Sequence, residues 1–111
     1  MILKEIVEKL PCKVVIGKEE LDQKCSGGYI SDLLSDVMGH AKEGQIWLTI
    51  QTHPNVIAVA LLLNLSAILF TSGTTPDKET IEKAQEERIV LLTTKKATFE
   101  AGGALYALLK G

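Results

Sequence analysis

Two spacings of hydrophobic positions alternate along the chain, and they predict helices alternating with strands. Apolar side chains over residues 2–10 follow a helical spacing that stops at Pro11, and residues 12–17 form a β-branched run typical of a strand. The polar residues 18–29 allow at most a short strand around Lys24. From Ile30 onward the apolar positions follow the i, i+3, i+4, i+7 template, which predicts a helix over residues 30–42 that is closed by Gly44.

The second half of the chain continues this alternation. Residues 45–50, 66–71 and 88–94 are predicted strands, and the apolar run at 66–71 has no polar alternation, which indicates burial on both faces. Helices are predicted at residues 56–64, 76–87 and 98–109, with Thr75 and Thr98 as caps for the last two. We therefore expect an α/β fold: a single three-layer domain over residues 1–111, with a mostly parallel sheet of four to five strands and helices on both faces.

Two helices have features that require close packing against a neighbouring element or a second subunit. The helix at 56–64 is apolar on all sides, so its second face needs either complete burial or another subunit, and a homodimer is expected. The closing helix contains Gly102 and Gly103, each of which costs about 1 kcal/mol relative to alanine. A close approach to a neighbouring backbone would offset that cost.

Composition narrows the classes of function. The formal net charge is −2, no basic stripe is present and the chain has one Trp, two Tyr and two Phe, so nucleic-acid binding is not expected. Glu5 and Glu8 interrupt the first apolar stretch, which argues against a signal peptide, and no apolar block is long enough to span a membrane. Cys12 and Cys25 are expected to be free thiols in the cytoplasm, and they are too few for a four-thiolate metal site. Neither a metal nor a cofactor is expected.

The residues that carry enzyme chemistry are sparse. The chain contains none of the usual phosphate-loop, dinucleotide, nucleophile-elbow, zinc-protease or CxxC motifs, so no enzymatic activity is expected. Asp32, Asp36 and His40 fall on one stripe of the predicted helix, but they span about 12 Å of its axis and cannot share one metal. Two of these residues could bind a metal together with ligands from elsewhere in the chain. The alternative is that the stripe is a solvated helix face with an Asp36–His40 contact.

Polar side chains cluster where the predicted strands end, which in parallel sheets is where ligands bind. The stretch TSGTTPD also offers backbone N–H groups at a helix N-terminus, and Lys95 and Lys96 supply positive charge, so a small anionic ligand is expected. The alternative is that these residues only form turns and caps. The candidate ligand-binding residues are Gly28, Asp32, Gln51, Thr52, His53, Asn55, Thr71, Ser72, Gly73, Thr74, Thr94 and Lys95.

Three stretches, GGYISDLLSDVM, IWLTIQTHPNVIAVALL and PDKETIEKAQEERIVLLTTKKATFEAGGALY, resemble stand-alone proteins of the DRTGG-domain group. The resemblance covers roughly residues 12–106, and it extends to the N-terminal, non-kinase domain of HPr kinase/phosphorylase. It implies an α/β accessory domain. Similar domains accompany CBS-domain pyrophosphatases and some phosphotransacetylases, where they lie outside the catalytic centre and support assembly or regulation.

The chain departs from the motif that names this group. Where the group has an Asp-Arg pair, this sequence has Thr52-His53, and its Thr-Gly-Gly turn is replaced by Thr71-Ser72-Gly73. A role that depends on the ion pair is therefore in doubt here. His53 is interpreted as a polar group at the mouth of the sheet and not as a catalytic base.

Three hypotheses about function follow. The first is a non-enzymatic cytoplasmic module for regulation or assembly, a homodimer that senses a small anionic ligand at the strand ends or binds a protein partner. The second is a dedicated nucleotide- or phosphometabolite-binding protein. The third is a small enzyme that uses His53 with Asp32 or Asp36, and it requires these side chains within hydrogen-bond reach of each other.

Overall fold

A five-stranded sheet forms the centre of the computed structural model, which describes all residues 1–111. The strands follow the spatial order β1-β5-β4-β3-β2. Strands β2 to β5 are parallel, and β1 runs antiparallel to β5, with Lys13 opposite Thr93. The strands are β1 (Lys13–Ile16), β2 (Gly27–Ile30), β3 (Gln45–Thr49), β4 (Ala67–Phe70) and β5 (Val90–Thr93).

Helices cover both faces of the sheet, which confirms the predicted three-layer, mostly parallel α/β fold. The helices are α1 (Leu3–Lys9), α2 (Leu34–His40), α3 (Asn55–Leu63), α4 (Lys78–Glu87) and α5 (Thr98–Lys110), and a 3-10 turn lies at Lys18–Glu20. One core cluster joins the sheet to α2, α3 and α4, and a second joins the opposite face to α1 and α5. None of the helices is both long and apolar enough to cross a membrane.

Strand β4 lies at the centre of the sheet, and its side chains alternate between the two cores. Ile68 and Phe70 pack toward α2, α3 and α4, whereas Ala67 and Leu69 pack toward α1 and α5. All four residues are buried, as the continuous apolar run predicted. A strand with both faces covered has no need for polar alternation, because neither row of side chains meets water.

The prediction of a helix over residues 30–42 is wrong at both ends. Helix α2 spans only Leu34–His40, and Ile30 is instead the last residue of strand β2, paired with Leu48. The Ser31 carbonyl accepts a 2.8 Å hydrogen bond from Trp47 Nε1, which fixes the chain in an extended path before the helix begins. Strand pairing therefore overrides the helical periodicity of the apolar residues, and Asp32 lies in a loop outside the helix.

Two helix starts also differ from the predicted ones. Helix α4 begins at Lys78, after Asp77 in an extended conformation, so Thr75 does not cap it. Thr98 is the first helical residue of α5, and its hydroxyl is hydrogen-bonded to the Thr71 hydroxyl and not to its own helix. Gly44, at φ 83°, forms the turn into β3 and does not close α2.

Candidate anion-binding cleft

The connections that leave β4 and β5 go to opposite faces of the sheet, although these strands are neighbours. The loop after β4 leads to α4, which packs with α2 and α3, whereas the loop after β5 leads to α5 on the other face. Where neighbouring loops separate in this way, a crevice opens at the carboxyl ends of the strands, and this is where open α/β sheets bind ligands.

A cleft of about 480 Å³ occupies this crevice. One wall is the loop after β4, the second is the loop after β5, and the third is the entry into β1. The antiparallel direction of β1 brings its first residues beside the last residues of β5. The residues that line the cleft are Pro11, Cys12, Lys13, Gly73, Thr74, Thr75, Thr93, Thr94, Lys95 and Lys96.

Hydrogen bonds between the walls fix the shape of the cleft. The backbone N–H of Ser72 donates to the Lys96 carbonyl at 2.7 Å, and the N–H of Gly73 donates to the Thr94 carbonyl at 3.0 Å. The buried Thr94 hydroxyl donates to the Pro11 carbonyl at 2.8 Å, which ties the entry of β1 to the end of β5. The three walls are therefore joined through polar contacts at their base.

These hydrogen bonds also change the expected source of anion binding. The N–H groups of Ser72, Gly73 and Thr74 all donate to carbonyls inside the protein, and Asp77, a carboxylate, precedes the first turn of α4. The backbone N–H anion site predicted for TSGTTPD is therefore not available at these three residues. The positive charge of the cleft comes from side chains.

Three lysines supply that charge, and no acidic residue is among those that line the cleft. Lys95 and Lys96 follow β5, and Lys13 reaches the same place from β1; all three side chains are exposed. Cys12 is a half-buried neighbour, and burial raises the pKa of its thiol, so it stays uncharged at neutral pH. The Thr74 and Thr94 hydroxyls donate to the Thr71 and Pro11 carbonyls, so an anion would meet chiefly the three ammonium groups.

The structure divides the predicted site residues into two groups. Gly73, Thr74, Thr94 and Lys95 line the cleft, and Thr71 and Ser72 support it from behind. Sequence reasoning named Lys96 as a charge but missed the contribution of Pro11, Cys12 and Lys13. Only the antiparallel pairing of β1 with β5 places those residues here, and the sequence contains no direct signal of that pairing.

Asp32 and Gln51 belong to a separate hydrogen-bond network at the ends of β2 and β3. The Asp32 carboxylate accepts hydrogen bonds from the Thr49 hydroxyl at 2.8 Å and from the Ile50 N–H at 2.9 Å. The Gln51 side-chain amide donates to the Asp32 carbonyl at 2.9 Å. These contacts join the two loops to each other, so the network has a structural role without any ligand.

The remaining predicted residues lie away from the cleft. The Thr52 carbonyl accepts hydrogen bonds from the Asp77 N–H and the Thr80 hydroxyl, which attaches the β3 end to α4. His53 is exposed, and its Nδ1 accepts from the N–H of Asn55, the first residue of α3. Gly28 lies within β2, where it borders an apolar groove beneath α5.

His53 forms no hydrogen bond to either carboxylate that the enzyme hypothesis requires. Asp32 is engaged by Thr49 and Ile50, and Asp36 accepts from the Tyr29 hydroxyl at 2.8 Å and contacts His40 at 3.1 Å. A general base needs a partner that orients its ring. His53 only completes the turn into α3, and the expected Asp36–His40 contact is present.

Comparison with known proteins identifies the family. The sequence profile of the DRTGG domain matches residues 5–108. The chain belongs to the DRTGG domain family. No curated protein sequence matches it.

A solved structure shares the fold of this DRTGG domain. It comprises the CBS and DRTGG domains of the regulatory region of Clostridium perfringens pyrophosphatase, in complex with the activator diadenosine tetraphosphate. The two are 23% identical in sequence and superpose with a TM-score of 0.73. The match covers 93% of this chain and 45% of that chain, so the DRTGG domain described here spans less than half of the clostridial fragment.

Proposed function

We propose that this DRTGG domain is a non-enzymatic regulatory module of the cytoplasm that binds a small anionic ligand in the cleft between β4 and β5. One observation carries the proposal: Lys13, Lys95 and Lys96 converge on a cleft without lining carboxylates, in a chain whose net charge is −2. A cluster of ammonium groups on a protein whose net charge is negative favours the binding of an anion at that cluster.

Phosphate-containing metabolites fit this cleft in charge and in size. A volume of about 480 Å³ lies within the range of pockets that hold small molecules. Lysine contacts phosphate as a point charge, and the exposed Thr75 supplies a hydroxyl at the rim. The same volume also favours the second candidate, a dedicated nucleotide- or phosphometabolite-binding protein. For that function the cleft would have to bind one phosphate-containing compound more tightly than others.

A pair of substitutions at Gly73 tests the ligand. Gly73 has φ 73°, and a Cβ atom there would meet no atom within 4 Å, so Asp and Asn both fit with similar backbone strain. Gly73→Asp adds a negative charge to the cleft, whereas Gly73→Asn has nearly the same shape without it. We expect pyrophosphate to bind Gly73→Asp at least about 5-fold more weakly than Gly73→Asn, since repulsion between two unit charges about 4 Å apart costs about 1 kcal/mol even in water.

The measurement is a titration with pyrophosphate followed by amide chemical shifts and calorimetry. Chemical-shift changes confined to residues 11–13, 73–75 and 93–96 support binding in the cleft. Lys83→Gln removes a positive charge on the outer side of α4, away from the cleft, and serves as the control for a change in net charge. Equal affinity for the Asp and Asn variants, or shifts centred on residues 51–55, contradicts the proposed site. Absence of saturation with a Kd below about 1 mM contradicts the anionic ligand itself.

The module is proposed to act as a homodimer. Large apolar side chains remain exposed on two faces, with Leu61 and Leu62 on α3 and Phe99 and Tyr106 on α5. A monomer that exposes such side chains in contiguous patches is unusual, and patches of this kind mark interfaces. Sedimentation of the wild-type chain over a range of concentrations tests this part separately from the ligand.

A further inference from the structure

Helix α5 and the edge strand β2 together present a continuous apolar surface. Phe99 and Tyr106 expose 89% and 64% of their surface, and Ile30 of β2 exposes 51%. Ile30 lies directly against Gly102, because a Cβ atom on that glycine would be 2.6 Å from Ile30 Cδ1. Phe99 and Tyr106 are one turn before and one turn after Gly102 on the same side of the helix. We name this surface the α5–β2 face.

A groove runs along this face between α5 and β2. It has a volume of about 150 Å³, with Leu48, Leu105 and Leu109 among its lining residues and Ile30 and Tyr106 at its sides. An apolar cavity of that volume is large enough for an aromatic ring. The face therefore has both an exposed ring, Phe99, and a receptor for a ring.

Gly103 leaves room for another backbone to approach α5 closely. A Cβ atom at Gly103 would meet nothing within 4 Å, so nothing within the chain requires glycine there. The residue nevertheless follows Gly102 in the middle of a 13-residue helix, where each glycine is unfavourable relative to alanine. Gly103 is exposed on the outer side of the helix and would let a second helix come near, whereas Gly102 packs against Ile30 of its own chain.

We propose that a second copy of this chain covers the α5–β2 face, with the two α5 helices antiparallel around a two-fold axis between Gly102 and Gly103. In that register Gly102 lies opposite Gly103 of the partner subunit. Phe99 then lies opposite Tyr106 of the partner subunit, since Phe99 is three residues before Gly102 and Tyr106 is three residues after Gly103. Each Phe99 ring enters the groove of the other copy. The proposal rests on the homodimer of the proposed function and specifies its interface.

Self-complementarity and area favour a second copy over a different protein. A two-fold interface uses the same patch twice, and here the anchor Phe99 and Tyr106, which borders the receptor groove, lie equally far from the midpoint of the glycine pair. The three side chains Ile30, Phe99 and Tyr106 expose on the order of 400 Å² together. A stable interface needs about 800 Å² from each partner. These side chains therefore supply about half of that area, and the rest of α5 and the β2 edge adjoin them.

The closing experiment measures the dimer dissociation constant of the full chain by sedimentation equilibrium. Phe99→Asp is expected to weaken the dimer by at least about 30-fold, as loss of a central aromatic anchor does. Leu62→Asp is the matched control, because Leu62 on α3 is 69% exposed and lies on the other apolar patch. The double variant Phe99→Asp/Tyr106→Lys is expected to recover at least about 10-fold, since opposite charges then meet across the axis.

Each outcome separates this interface from the broader proposal. A dimer that survives Phe99→Asp and dissociates with Leu62→Asp overturns the α5–β2 face while the homodimer stands. Failure of the double variant to recover overturns the antiparallel register. A wild-type chain that is monomeric up to about 1 mM overturns both the interface and the homodimer, whereas pyrophosphate binding is measured independently. Circular dichroism shows whether each variant is folded, and Phe99 and Leu62 are both exposed enough to be replaced without core damage.

Discussion

Threonine hydroxyls at the strand ends are occupied by partners within the protein. Thr49, Thr71 and Thr94 are buried, and their hydroxyls are bonded to Asp32, Thr98 and the Pro11 carbonyl. A buried hydroxyl without a partner is costly, so these residues hold the fold together before they hold any ligand. The partners of Thr71 and Thr94 lie 27 and 83 residues away in the chain, so the sequence alone could not show that these hydroxyls are occupied. Both residues were therefore predicted to contact a ligand.

Two glycines offer a matched pair of predictions about stability. Gly17 has φ 99°, and a Cβ atom there would lie 2.9 Å from the Val90 Cα, so Gly17→Ala is expected to lower the free energy of unfolding by about 2 kcal/mol or more. Gly39 lies in α2 with open space around it, and Gly39→Ala is expected to raise that free energy by about 0.5 kcal/mol. Urea denaturation measures both. Equal effects of the two substitutions would show that the close contact at Gly17 is relieved at little cost.

The Asp36 carboxyl predicts a pH dependence. Hydrogen bonds from the Ser31 and Tyr29 hydroxyls, together with the nearby His40, lower the pKa of Asp36 below its usual value. A lowered pKa in the folded state means that the stabilisation from this group is present above the unfolded pKa and is lost as pH falls through the folded one. Tyr29→Phe is expected to shift the Asp36 pKa upward in a carboxyl NMR titration. Tyr106→Phe is the control, and an unchanged pKa in Tyr29→Phe would contradict the role of the phenol.

At the scale of elements, a predicted boundary differs from the structure where a residue in a helical pattern of apolar positions pairs with a distant strand. The apolar spacing of residues 30–41 is helical, yet Ile30 pairs with β3 and Ser31 receives the Trp47 indole N–H. The spacing of apolar residues within a segment contains no information about a partner strand that follows 15 or more residues later in the chain. Strands β3, β4 and β5 were predicted closely, because long apolar runs describe a buried strand without reference to its neighbours.

The loop between β2 and α2 carries a prediction about Asp32. Its carboxylate accepts hydrogen bonds from Thr49 and Ile50, so Asp32→Ala is expected to reduce the free energy of unfolding by about 1 kcal/mol. Pyrophosphate affinity is expected to stay the same, because Asp32 is not among the residues that line the cleft. Asp22→Ala serves as a control. Lost pyrophosphate affinity with unchanged stability would instead make Asp32 a ligand contact, as the sequence had suggested.

At the scale of the whole molecule, the sequence predicted the layers but could not choose among the strand-end loops. Alternation of helices and strands is sufficient for an α/β fold, and all four loops of the parallel strands then appear equivalent. Only the face to which each helix packs shows that β4 and β5 diverge, and that face depends on which apolar stripes meet across the sheet. This choice separates the cleft from the Asp32 network.

The antiparallel strand β1 gives the cleft a particular place in the folding order. Strands β2 to β5 each pair with a partner about 20 residues away, whereas β1 closes a loop from Lys13 to Thr93. A loop about four times longer costs about 1.2 kcal/mol more in chain entropy, and such non-local contacts slow folding. Lys13 reaches the other two lysines only after that closure. We therefore expect this chain to acquire its affinity for an anion late in folding, together with its most distant strand pairing.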